Sequence, residues 1–151
     1  MRKCLLLVNL NMSIKDRETS YREAFRYIKN ATEMLRTKAG KKDKYYEDPK
    51  YVRIACGAAY NGALLALGTY LEMKGKPLVK RKGKRISVDD YRIRLASLDS
   101  RMLKTFNTAY RVLHLEGYYE GETKQGVILE GIDSAMDILN TIKPPDHHLP
   151  T

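Results

Sequence analysis

Cysteine is too scarce in this chain to build a covalent framework. Cys4 and Cys56 are the two present in 151 residues, so a small disulfide-stapled fold is excluded and a reduced, cytoplasmic setting is expected. Metal ligands are equally sparse, with three histidines and no His or Cys pairs at ligand spacing. His147 and His148 are adjacent, which is not helical ligand geometry, and no metal is expected. The sequence also lacks a glycine-rich phosphate loop opening a helix and a nucleophile elbow. No cofactor is expected, no residue is assigned a catalytic role, and the sequence names no reaction. No stretch alternates well enough to predict a strand.

The absence that says most about architecture is an absence of charge. Ile54 to Leu71 runs eighteen residues without a charged side chain and is rich in Gly and Ala. This length reaches the lower limit for a membrane-spanning helix. Asn61, Thr69, Tyr60 and Tyr70 interrupt its apolar character, and three amphipathic companions need something to cover. A buried core helix is therefore expected, and no membrane contact. Asp48 with Pro49 supplies an N-terminal cap, and Gly75 with Pro77 a stop. Ala55, Ala59, Ala63 and Ala66 form a ridge of small side chains. Gly costs a helix about 1 kcal/mol relative to Ala, so Gly57, Gly62 and Gly68 imply close packing. Cys56 reads as a small core residue, and Asn61 as a mid-core polar group bonding Thr105 or Asn107.

Three further helices follow from periodicity. The first falls between Ser13 and Ala39, capped by Ser20 with Glu23 or earlier by Ser13 with Asp16, and its buried stripe is Tyr21, Ala24, Phe25, Ile28, Ala31, Leu35 and Ala39. The third opens on a capping box of Ser87 with Asp90 and carries Tyr91, Leu95, Leu98, Met102, Phe106, Ala109 and Leu113 inward as far as Gly117. The fourth spans about Thr123 to Ile142, with Ile128, Ile132, Ala135, Ile138, Leu139 and Ile142 inward, and Pro144-Pro145 ends it. Short connections predict an all-α, up-down-up-down four-helix bundle. It occupies residues 13–143 as one domain. Residues 1–12 are expected to be a non-native or disordered extension, with Met12 a plausible start, and residues 144–151 a disordered tail.

The net charge of +10 is unevenly spread. Residues 116–151 carry seven acids against Lys124 and Lys143, a net of −5, which leaves +15 on the first 115 residues. The connection from Lys74 to Arg85 holds seven cations and no anion. It could contact phosphates through Lys80, Arg81, Lys82, Lys84 and Arg85, or simply be solvated. It lacks an aromatic residue for base stacking. At the opposite end the topology brings together Tyr45, Tyr46, Tyr118 and Tyr119, with Tyr51 and Arg53 opening the second helix. Arg111 and His114, three apart, should share a face there. Together they could bind an anionic or nucleotide-like ligand, or the tyrosines could plug the end of the core.

Three segments carry a family resemblance: EAFRYIKNATEML (23–35), DPKYVRIACGAAYNGALLAL (48–67) and FNTAYRVLHLEGYYEG (106–121). Through them the chain resembles a family of small helical proteins from Bacteroidetes-type bacteria, classed as a domain of unknown function. The resemblance implies a helical bundle and no catalytic residue. More distantly the layout is similar to HEPN-type bundles, some of which are ribonucleases or partners of nucleotidyltransferases. Catalytic members separate their Arg and His by a longer spacer than the two residues between Arg111 and His114, which argues against ribonuclease chemistry here. The expected function is non-catalytic binding, through self-association or a protein partner. The alternative is a HEPN-like module associated with nucleic acid or nucleotides.

Overall fold

The computed structural model describes residues 14–145. The expectations for residues 1–13, for the Ser13 cap and for residues 146–151 lie outside the described residues. Helix α1 is Ile14–Thr37, strands β1 (Lys41–Lys42) and β2 (Tyr45–Tyr46) form a hairpin, and α2 is Pro49–Met73. Helices α3 (Val88–Leu98) and α4 (Ser100–Ala109) follow, then a π-helical segment, Tyr110–Tyr119, and α5, Gln125–Asn140. Among the described residues the protein is mostly helical, with one small two-stranded sheet.

α1 buries Tyr21, Ala24, Ile28, Ala31 and Leu35, the stripe its periodicity predicts. Ser20 lies inside the helix and caps nothing, because the helix continues back through residues with no breaker. Arg17 fastens this early part of α1. Its guanidinium donates to the carbonyls of Ile142 (2.9 Å) and Lys143 (2.8 Å), just beyond α5.

α2 is capped as expected, with the Asp48 carboxylate accepting from the Lys50 amide at 2.9 Å. Its alanine ridge is fully buried. At Gly62 an added Cβ would stand 2.9 Å from the Ala24 carbonyl oxygen, so α1 and α2 touch backbone to backbone. Gly57 supports the Tyr118 ring, whereas Gly68 stands in more open space. The helix is long and apolar enough to cross a membrane, yet 61% of its most apolar window is buried inside the protein. It is not enclosed on all sides, however. Asn61, expected in the core, is exposed. Its expected partners are engaged elsewhere: Asn107 accepts from Arg92 Nε (2.9 Å), and Thr105 donates to the Arg101 carbonyl.

The third predicted helix is broken. Its capping box forms as expected, but Asp99 adopts an extended conformation (φ −154°, ψ 95°) and restarts the chain as α4. Asp and Ser bond readily to nearby backbone and favour caps over helix interiors, and Asp99-Ser100 uses that preference. The Asp99 carboxylate accepts from the Met102 amide at 3.0 Å and from the Tyr70 hydroxyl at 2.8 Å. These bonds, the amide's first, hold its pKa below the usual value. The inward residues keep their expected places, with Leu95, Phe106, Ala109 and Leu113 fully buried.

The hairpin corrects the expectation of no strands. Lys41 pairs with Tyr46 and Lys42 with Tyr45. Asp43 supplies the left-handed turn at φ +55°, a conformation that Asp tolerates better than most residues. The hairpin also performs a capping task. α5 has no side-chain cap, and the Lys44 carbonyl accepts from the Gln125 amide at 2.9 Å.

Candidate functional site

The two tyrosine-bearing loops meet, as their placement in the topology predicts. The Tyr46 amide donates to the Thr123 carbonyl at 2.8 Å, and the Gln125 side chain donates to the Tyr45 carbonyl at 3.0 Å. Tyr46 points into the core, where burial raises its pKa, while Tyr45 stays half exposed. Tyr51 is partly buried beneath its neighbour, with Lys50 Nζ 4.7 Å from the ring centroid.

Arg53 is occupied structurally. Its Nη1 donates to the Tyr118 carbonyl at 3.0 Å and to the Tyr119 carbonyl, closing the C-terminal end of the π-helical segment. Gly121 (φ +70°) lets the chain pass this guanidinium, since a Cβ there would lie 2.7 Å from Arg53 Nη2. Orphan carbonyls at a helix end need donors, and Arg53 supplies them from another helix.

His114 and Arg111 do not form a pair. The i→i+5 bonding of a π-helix changes the angular spacing, so residues three apart no longer stack on one face as in an α-helix. Arg111 turns to Glu116 (2.9 Å) and Glu130 (3.6 Å). His114 turns to a series of rings: Tyr60 at 4.7 Å between centroids, Tyr119 at 5.0 Å, Tyr110 at 5.4 Å and Tyr118 at 6.1 Å. Arg92 lies over Tyr110 at 4.7 Å. Tyr60, Tyr110 and Arg92 are members of this cluster that sequence reasoning missed. The i, i+4, i+8 spacing of Tyr110, His114 and Tyr118 was the available signal.

Burial pushes the His114 imidazole below its ordinary pKa, favouring the neutral ring at neutral pH. Its contribution to folding is therefore present above the unfolded value near 6.5 and is lost as pH falls toward the folded value. Unfolding titrations between pH 7.5 and 5 should show stability declining below about 6.5. His114→Phe, which keeps the stacking, should flatten that part of the slope.

Cys56 is fully buried, and burial pushes its thiol up to about 12. A thiol held protonated in this way is no nucleophile at neutral pH. At the other end of α2, Lys80, Arg81, Lys82, Lys84 and Arg85 are all exposed. Among the described residues no carboxylate forms an ion pair with them. The base of this connection is fixed by Arg94, whose Nε donates to the Pro77 carbonyl at 2.9 Å.

A sequence model described as "Domain of unknown function (DUF5618)" matches residues 19–144. The chain belongs to this family. It is also similar to a solved structure, a protein of unknown function from Dyadobacter fermentans, at 37% identity and a TM-score of 0.74. The match covers 83% of this chain and 94% of that one. No curated protein matches. The resemblance to a Bacteroidetes-type family of unknown function is thereby borne out.

Proposed function

We propose that the protein is a cytoplasmic, non-catalytic binding module that acts by self-association or by holding a protein partner. The observation that carries this reading is the open face of α2. Ile54 is 48% exposed, Asn61 is exposed, and Ala58, Leu64, Leu65 and Gly68 are partly exposed. No charged residue interrupts them, since the chain is uncharged from Ile54 to Leu71. A solvated helix face would normally carry charge, and an uncharged, largely apolar one marks an interaction site. In this reading α1, α2, the interrupted α3–α4–π segment and α5 act as the four rods of a HEPN-like bundle. Support for that layout comes from the packing of α2 against α1, α5 and the π-helical segment, and of α4 against α5.

A second reading rests on the exposed cations of the Lys74–Arg85 connection, which would give salt-sensitive, sequence-independent binding to nucleic acid. Two variants separate the readings. Ile54→Lys with Leu65→Lys should abolish assembly in size-exclusion chromatography with light scattering while leaving helical circular dichroism intact. Reversing the charge of Lys80, Arg81, Lys82, Lys84 and Arg85 should abolish retention of a mixed RNA pool if the second reading holds. Assembly unchanged by the α2 variant would reject the α2 face as its surface, and a wild-type chain that neither assembles nor retains a protein partner would reject the first reading.

A further inference from the structure

The open face of α2 is symmetric in a way that specifies its occupant. The exposed and half-exposed positions 54, 57, 58, 61, 64, 65 and 68 follow the three-and-four spacing of a helix–helix seam. They are arranged evenly about Asn61. Reflection through that residue pairs Ile54 with Gly68 and Ala58 with Leu64, while Gly57, opposite Leu65, is covered by the Tyr118 ring of its own chain. Each pair sets a large side chain against a small one. Beyond the stripe, Lys50 and Glu72, both exposed, mirror each other across Asn61, and the nearer cation, Arg53, is already held by the Tyr118 and Tyr119 carbonyls.

Resting on the self-association reading above, we propose that the occupant is a second copy of this chain, packed antiparallel along α2 with its two-fold axis at Asn61. A two-fold contact is self-complementary, so residue i meets residue j and j meets i. The stripe satisfies that condition in both size and charge. Parallel packing would set Lys50 against Lys50, Glu72 against Glu72 and Ile54 against Ile54.

The surroundings agree with the pairing. Over the second half of α2 lies a cleft of about 450 Å³, floored by Leu64, Leu65 and Gly68, walled by Leu78 and Tyr91, and rimmed by the polar Ser20 and Glu72. The partner's Ile54 enters it above Gly68, where a Cβ would meet nothing closer than Leu78 at 3.8 Å. Asn61 meets its own copy at the axis. There the two amides can exchange hydrogen bonds, and a single polar residue in such a seam fixes register. Interface hot spots are buried large side chains in complementary pockets. Ile54, used twice per dimer, is that anchor.

The test uses the full chain with Cys4→Ser, so that a single engineered thiol reports each contact. Asn61→Cys should cross-link to itself under mild oxidation. Ile54→Cys should not, but Ile54→Cys mixed with Gly68→Cys should. Ile54→Asp should weaken association about 100-fold or more. Lys50→Glu or Glu72→Lys alone should weaken it, and the two combined in one chain should restore it, because only antiparallel packing pairs position 50 with position 72. Self-linking of Ile54→Cys would overturn the proposal, as would a dimer indifferent to Ile54→Asp and to both charge reversals; in the latter case the protein still self-associates, but through another surface. A wild-type chain that stays monomeric at every concentration would overturn both the proposal and self-association.

Discussion

Gly117→Ala should destabilise the protein by about 3 kcal/mol, although Ala is the better helix former by about 1 kcal/mol. An added Cβ would lie 2.3 Å from Cys56 Sγ, 2.7 Å from Cys56 Cβ and 3.1 Å from the Val112 carbonyl oxygen. Cys56 is fully buried on α2, so neither it nor the helix behind it can yield cheaply. The clash forces the π-helical segment away from α2 and loosens the rings that stack between them. Thermal unfolding should report a fall of roughly 6–12 °C for a domain of this size. Cys56→Ala in the same chain removes the nearer of the two Cys56 atoms and should recover part of the loss, a coupling that a double-mutant cycle measures. Additive effects would mean that the two residues do not share this contact.

Asp99→Ala should cost a further large amount, about 2–4 kcal/mol, because two separate partners lose their acceptor. The Met102 amide loses its cap at the start of α4, and the Tyr70 hydroxyl, on a residue 7% exposed, loses its hydrogen bond. Burial first, and then Asp99, raises the Tyr70 pKa to about 12. Tyr70→Phe added to Asp99→Ala should therefore recover stability, since it removes the orphaned hydroxyl. Chemical denaturation of the two single variants and the double variant measures this. The depressed pKa of Asp99 gives the pH dependence its sign: the stabilisation is present above the unfolded carboxylate value and is lost as pH falls through the folded one.

What could be read from the residues was whatever local chemistry decides. The Asp48-Pro49 start, the Ser87–Asp90 capping box and the apolar stripes of α1, α4 and α5 depend on spacing within one or two turns. Asp99 was harder, because an unbroken stripe from Tyr91 to Leu113 persists through the break. The tertiary bond from Tyr70 favours the restart, and sequence spacing does not display it. The Lys41–Tyr46 hairpin is too short to alternate. Its role as cap of α5 arises from contact between distant segments.

The tyrosine end was located correctly, yet the role of its residues was not legible. Arg53 looks like a ligand for anions until its carbonyl partners at Tyr118 and Tyr119 are seen. Arg111 and His114 look like a pair until the π-helical backbone changes their spacing. For α2, lack of charge predicts a helix buried on nearly all sides. An uncharged surface produces the same sequence signal as a buried core, because both exclude ionic groups for the same desolvation cost. Exposure of Ile54 and Asn61 distinguishes the two.

Sedimentation equilibrium of the unmodified chain between about 1 and 200 µM tests the central claim most directly, across the range where typical specific contacts saturate. The mass should rise from 17.4 kDa toward twice that value, with Ile54→Asp remaining at the lower figure. A wild-type mass of 17.4 kDa across the whole range would contradict it.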